Sequence, residues 1–303
     1  MSNKAKKYNY GGMAVIEGVM MRGPDETAVA VRKPDGSIVI EKEANKKPEE
    51  KYPFLKWPFI RGTVALVSSM AVGIRMLNKS ANLSMDDDEE ELTSGEILAT
   101  GLLALVLALA LFVVLPTAIV HFAQQWLGGI FLQNLVEGAV RIVFLILYIV
   151  AITRMDDIKR VFMYHGAEHK TIFAHEKGLE LTVENARLQS CSHPRCGTSF
   201  LLIVMVIAIL VFALLGDGTL FYRVWSRLAV FPIVAGIGYE LIKLSAKYYD
   251  RPLGRALIAP GLALQKLTTR EPDDSQLEVA IRALNEVLKT DQTPAVEPVS
   301  LQV

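Results

Sequence analysis

Four of the five histidines and both cysteines fall between Arg154 and Ser199; only His121 lies elsewhere. Within that stretch, His165-Gly166-Ala167-Glu168-His169 sets two imidazoles four residues apart. Residues four apart share a helix face, so both rings can reach one cation, and Glu168 lies on the same side. The H-x-x-E-H order is one arrangement of zinc hydrolases, with the glutamate as general base. Packed or exposed histidines on an ordinary helix are the plainer reading of the same letters. Farther along, Cys191-Ser192-His193-Pro194-Arg195-Cys196 puts two thiols and an imidazole in six residues stiffened by Pro194. These are ligand types that zinc prefers. The cluster alone has too few ligands for a closed site, and the His165/His169 helix is the obvious source of the rest.

The expected metal ligands are therefore His165, His169, Cys191, His193 and Cys196, holding zinc or another divalent transition metal, with Glu168 as the catalytic base. Two thiolates and two imidazoles would fill a tetrahedral site and leave no place for water, so an open site needs one of them to drop out. Buried free cysteines at a membrane interface are the bland alternative. His175 reads as a surface histidine. Two cysteines this close in a cytoplasmic segment read as reduced thiols or ligands before a disulfide.

These residues need a helix to hold them. Asp156 or Asp157 can cap one that runs to about Glu176, with Gly178 as its stop. On either side lie long apolar blocks, and mean hydropathy is +0.32. A crossing takes roughly 20 apolar residues. Ile97 to Val120, with Pro116 near its far end, is the clearest span. A second runs from about Ala139 to Thr153 and can begin earlier, because Gly128 to Val136 is also largely apolar. Phe200 to Gly216 and Leu228 to Leu244 follow, the last weakened by Glu240 and Lys243. Glu240 should face the protein interior, toward Arg251 or the cytoplasmic site. Lysines and arginines are absent from His121–Gly138 and abundant in Arg154–Ser199, so the positive-inside rule puts that loop and both termini in the cytoplasm. No signal peptide is visible, and insertion through the first internal span is expected. Pro58 to Leu77 has only 13 uncharged residues between Arg61 and Arg75. It fits an interfacial or re-entrant helix, or one packed on the cytoplasmic domain.

Among the polar segments, Thr27 to Glu43 reads as a β-hairpin turning at Pro34-Asp35-Gly36. Before it, residues 11–23 form small strands punctuated by glycine, as if the backbone passed closely by something. Glu17 and Arg22 can pair or face a site, though a plain surface role is the simpler reading. The acidic run Asp86 to Glu91 is a solvated linker. Asp274 to Lys289 has helical apolar spacing, and the residues from Thr290 onward read as a frayed tail. The fold class is thus a mainly α integral membrane protein with about four transmembrane helices and a small cytoplasmic α+β domain. Its segments divide at 1–57, 58–77, 78–96, 97–153, 154–199, 200–245 and 246–303.

Three stretches resemble the YqhQ-like family of uncharacterised bacterial membrane proteins (domain of unknown function 1385). They are Gly12-Met13-Ala14-Val15-Ile16-Glu17-Gly18-Val19-Met20-Met21-Arg22-Gly23, Tyr164 to Lys170, and Cys191 to Phe200. The similarity covers nearly the whole chain up to about Arg270. It implies a bacterial inner-membrane location and supplies no substrate; the metal-dependent label its members often carry rests on the same histidines and cysteines.

Two functions compete. One is a metal-dependent membrane enzyme, a hydrolase working at the cytoplasmic face; the other is a non-enzymatic scaffold whose structural zinc knots the cytoplasmic domain. A transporter ranks last, because the first three spans carry almost no polar residues. A formal net charge of zero and the lack of any motif leave nucleic acid out; the lipid bilayer is the expected partner.

Overall fold

The computed structural model describes residues 10–85, 93–216, 219–247 and 251–292. Four strands come first: β1 (Gly11–Val15), β2 (Gly18–Arg22), β3 (Glu26–Arg32) and β4 (Ile38–Ala44), in one antiparallel sheet of order β1-β2-β3-β4. The expected hairpin is its β3–β4 half, with Ala30 opposite Ile40. Gly36 turns it at a φ of 87°, and the Asp35 carboxylate accepts the Ser37 N–H at 2.8 Å. The glycine-punctuated segment adds a second hairpin that turns at Ile16-Glu17. Glycine is required at position 18, where a Cβ would lie 2.2 Å from the Ala30 carbonyl oxygen. Without that side chain β2 can lie flat against β3, and the small strands expected in residues 11–23 join the hairpin in one sheet.

Side chains alternate across a strand, so this sheet has two apolar faces. Val19, Met21, Ala28 and Ala30 pack on Tyr164 and Ala167 and on Leu277, Ala280 and Leu284. Val15, Met20, Val29 and Val31 pack on Val72 and Met76. The first set of partners comes from helices α6 and α11, the second from α2.

The helices follow in order: α1 (Pro48–Lys51), α2 (Ile60–Leu83), α3 (Ser94–Leu109), α4 (Leu115–Ala123), α5 (Ile130–Ile152), α6 (Asp156–Glu176), α7 (Val183–Arg187), α8 (Gly197–Ala213), α9 (Leu220–Lys247), α10 (Pro252–Thr268) and α11 (Asp274–Gln292). Helix α2 runs past the expected end at Leu77 into the supposed linker 78–96. The acidic run Asp86 to Glu91 lies outside the described residues, as does most of the expected tail. The charges that broke up α2 on paper are neutralised in place. Arg61 donates to both Glu240 carboxylate oxygens at 2.7 and 2.6 Å, and Arg75 donates to Glu43 at 2.9 Å. Glu240 therefore pairs with Arg61 and not with Arg251 or the histidine-rich segment.

Among the described residues, three helices are long and apolar enough to cross a membrane: Ile60–Leu83, Gly95–Ala123 and Ile130–Ile152; Gly197–Ala213 is a shorter apolar helix. In the second, Leu98, Leu102, Leu103, Leu105, Val106 and Leu107 are all exposed. A helix apolar all round and uncovered by its own chain needs hydrocarbon as its solvent. Its α3 portion starts at a capping box between Thr93 and Glu96. Pro116 lacks an N–H and crowds the carbonyl four residues earlier, and a π-helical turn at Ala110–Val114 absorbs the strain. Close packing elsewhere uses glycine: Gly138 of α5 takes Ile209 of α8, and Gly238 of α9 takes Val204.

Helix α5 takes the earlier of the expected starts, at Ile130, and so adds Asn134 and Glu137 to the Arg141 of the shorter span. The reading that the first three spans carry almost no polar residues is corrected here. Glu137 is buried and accepts from Arg141 at 2.5 Å, Arg227 at 2.9 Å and the Thr117 hydroxyl at 2.8 Å. Both guanidinium groups sit 5.9 Å from the Phe212 ring centre. Breaking such a buried pair leaves an uncompensated charge and costs on the order of 3–5 kcal/mol. Glu137→Leu should therefore lower the thermal midpoint of detergent-solubilised protein far more than Glu240→Leu, whose Arg61 partner is better exposed; differential scanning fluorimetry of the two variants checks this.

Candidate metal centre

Helix α6 is the spine of the site. Met155, not Asp156 or Asp157, is its N-cap; the two aspartates occupy the first turn, where the helix dipole favours negative charge. Gly178, at a φ of 69°, follows its end. Along it, His165, Glu168 and His169 share one face, as their spacing requires.

Each imidazole is oriented by a backbone carbonyl. His165 Nδ1 lies 2.8 Å from the Thr268 oxygen, and His169 Nδ1 bonds the Cys191 oxygen. A carbonyl can only accept, so both Nδ1 atoms carry the proton and both Nε2 atoms present a lone pair. His165 Nε2 lies 3.2 Å from Cys196 Sγ. His169 Nε2 is buried with no hydrogen-bond partner. Ligand atoms of His165, His169 and Cys196 all lie within 4.8 Å of one another. Two imidazoles oriented by carbonyls and one thiol make a donor set of the kind that suits zinc.

The Glu168 carboxylate sits beside them, 3.9 Å from His165 Nε2 and 3.6 Å from His169 Nε2. Burial raises its pKa above the usual carboxylate range, against the pull of His165 and His193 and of the Gly12 N–H. Gly12 is indispensable to this fit: a Cβ there would stand 2.7 Å from Glu168 Cγ. Here is the close approach that the glycines of β1 foreshadowed. Cys196 is the N-cap of α8, accepting the Thr198 N–H at 3.5 Å.

The other two expected ligands serve elsewhere. Cys191 points its thiol at the Arg270 carbonyl and the Glu271 carboxylate, at 3.6 and 3.4 Å, and burial pushes its pKa up to about 12. It contributes its carbonyl to His169, not its sulfur to the cluster. His193 accepts the Arg195 N–H on Nδ1 at 3.2 Å, and its Nε2 lies 3.3 Å from Glu176. Both ring nitrogens are thus engaged, one within the loop and one with the end of α6. Gln265 pins the loop by bonding the His193 N–H, the His193 carbonyl and the Ser199 hydroxyl at 2.9, 2.8 and 2.7 Å. Lys170 holds it from below through the Arg187 and Gln189 carbonyls, both at 2.8 Å. His175, expected on the surface, is half-buried and stacks edge-on with Tyr10 at 5.1 Å. Glu17 and Arg22 do not pair; Glu17 binds Arg160, and Arg22 reaches Ser68.

The sequence assigned no role to Thr268, Gln265 or Lys170, whose roles depend on contacts across long sequence separations. Gly166 had a signal, since it sits inside the histidine motif. A Cβ there would lie 2.1 Å from the Arg270 carbonyl oxygen. A cleft of about 330 Å³ opens over the cluster between β1 and α6, with Gly12, Ala14, Phe162, Glu168 and Thr198 among its walls.

The chain belongs to the family described as protein of unknown function (DUF1385), whose model matches residues 57–290. It is 38% identical over 295 residues to the uncharacterized protein YqhQ of Bacillus subtilis (strain 168), an alignment covering 93% of each chain. The resemblance carried by the glycine, histidine and cysteine motifs is thereby shown. No solved structure matches.

Burial lowers the pKa of His169 and of His193 below the usual imidazole value. The unfolded chain takes up protons near pH ~6.5 while the folded chain resists them. The stability these two residues contribute is therefore present above that pH and lost as pH falls through it. Glu168 works in the opposite sense, because the folded state holds its proton more tightly than the unfolded one. Thermal midpoints of metal-stripped protein between pH 8 and pH 5 should decline, and the decline should be shallower for His193→Gln.

Proposed function

We propose that this protein is a metal-dependent hydrolase of the bacterial inner membrane, with its site at the cytoplasmic face. The observation that carries the reading is the gathering of His165, His169 and Cys196 around a buried Glu168, with Cys191 drawn off to Arg270 and Glu271. Three ligands leave a coordination position open, as catalytic zinc sites do, whereas four would close it. A closed structural zinc, the scaffold alternative, is less well supported for that reason. The Cys196–His165 contact alone would also suit a thiol nucleophile and its base, but Glu168 and the bare His169 nitrogen have no task in that scheme.

A zinc or similar ion would be held by His165 Nε2, His169 Nε2 and Cys196 Sγ and, when bound, supplies a Lewis acid and an acidified water. The chain's own residues do the rest. Glu168, with its proton affinity raised by burial, takes a proton from a nucleophilic water and returns it to the leaving group. Thr268 and the Cys191 carbonyl keep both imidazoles in the tautomer that leaves Nε2 free. The wall of β1 limits access of bulk water.

For topology, we read α3–α4, α5, α8 and α9 as four spans with both termini in the cytoplasm. The absence of lysine and arginine from His121–Gly138 and their abundance in Arg154–Ser199 support this. Helix α2 stays on the cytoplasmic side in this scheme, since Val72 and Met76 lie on the sheet.

Purified wild type should carry roughly one zinc per chain. His165→Ala and Cys196→Ala should lose it, while Cys191→Ala keeps it, by elemental analysis. Loss of metal from Cys191→Ala would favour the closed structural site. Glu168→Gln should retain metal and lower kcat by ~10²–10⁴-fold; unchanged turnover would remove Glu168 from the mechanism.

A further inference from the structure

We infer that the cleft takes an extended polypeptide segment, which adds to β1 as a strand; this rests on the hydrolase reading and makes the protein a peptidase. The strand order leaves β1 at an edge of the sheet, paired only with β2. Its register closes Val15 against Gly18 across Ile16-Glu17. In an antiparallel ladder, successive residues direct their backbone groups to opposite sides. Gly11, Met13 and Val15 face β2, so Gly12, Ala14 and Ile16 face away. The Ile16 N–H agrees with that assignment, donating to the Ser80 hydroxyl at 3.1 Å; at the other end Gly12 lies against Glu168, where a Cβ would stand 2.7 Å from Cγ.

Between those two anchors remain the Gly12 carbonyl and the N–H and carbonyl of Ala14. Gly12 and Ala14 both line the cleft, and no backbone hydrogen bond to these three groups is found among the described residues. An acceptor, a donor and an acceptor spaced along an open edge match the backbone of an extended peptide, the usual basis of strand addition. A sugar or nucleotide has no such repeat. Opposite β1, Val161, Phe162 and Ile172 of α6 give the cleft an apolar wall, which suits apolar side chains on alternate residues. Glu168 marks where the ladder ends, because its side chain lies against Gly12, where a Cβ would stand 2.7 Å from Cγ. A peptide paired with Ala14 is thereby led directly to the carboxylate and the two Nε2 atoms. Hydrolysis there breaks the C–N bond: water's oxygen joins the carbonyl carbon, one of its protons passes through Glu168 to the leaving nitrogen, and the other stays with the new carboxyl group.

The test is binding to full-length, metal-stripped protein in detergent, using fluorescein-labelled heptapeptides with apolar residues at alternate positions and anisotropy as readout. Saturable binding is expected, and N-methylation of the peptide backbone at alternate positions should weaken it about tenfold in one register and little in the other. Ala14→Pro should weaken it similarly at an unchanged thermal midpoint, since an outward N–H on an edge strand can be replaced by proline. Should that variant fail to fold, the N-methyl series on wild type decides. No saturable binding by any peptide, or equal binding by every N-methylated form, overturns the proposal. Because the peptides are tested without metal, strand binding that survives a failure of the hydrolase reading still supports this assignment.

Discussion

The site depends on how closely residues 268–270 lie against helix α6. Gly166 makes that contact possible, for any side chain there would collide with the Arg270 carbonyl. The Arg270 N–H then bonds the Phe162 carbonyl at 2.9 Å, and the Thr268 carbonyl orients His165. From the same crossing, Arg270 and Glu271 take the Cys191 thiol away from the cluster. One glycine thus sets an imidazole tautomer and the contacts of a thiol. Burial makes both consequences strict, because a buried polar atom without a partner costs far more than an exposed one.

A second close approach completes the arrangement from the other side. Gly12 lets β1 press on Glu168, since any side chain there would collide with Cγ. The carboxylate is consequently held between a strand and two imidazoles with little water, which is why its proton affinity rises. The sheet also connects the site to the bilayer-sized helices. Its far face rests on α2, and α2 is tied to α9 through the Arg61–Glu240 pair.

Polar groups among the apolar helices obey the same rule of satisfaction. Glu137 binds two guanidinium groups and a hydroxyl, so that each charge has a partner where water is scarce. That cluster and the histidine centre occupy different helix pairs and need no direct contact. Neither would be stable half-built, since removing one member leaves the others charged and unpaired.

Much of this was legible from one dimension. Helix spacing alone put His165, Glu168 and His169 on one face, and it drew α6 from Asp156 to Glu176 and α11 from Asp274, because periodicity is a local property. The apolar blocks and the turn at Asp35-Gly36 are local in the same sense. The choice among five candidate ligands was not legible. His193 and Cys191 have the right chemistry and the right neighbours in sequence, and their contacts with Gln265, Arg270 and Glu271, some 70–80 residues away, are set only by the fold. The pairing of the small N-terminal strands with the hairpin, the partner of Glu240 and the enclosure of Glu137 were hidden for the same reason. Each is a pairing between distant segments whose register is set by packing, and spacing along the chain carries no record of it.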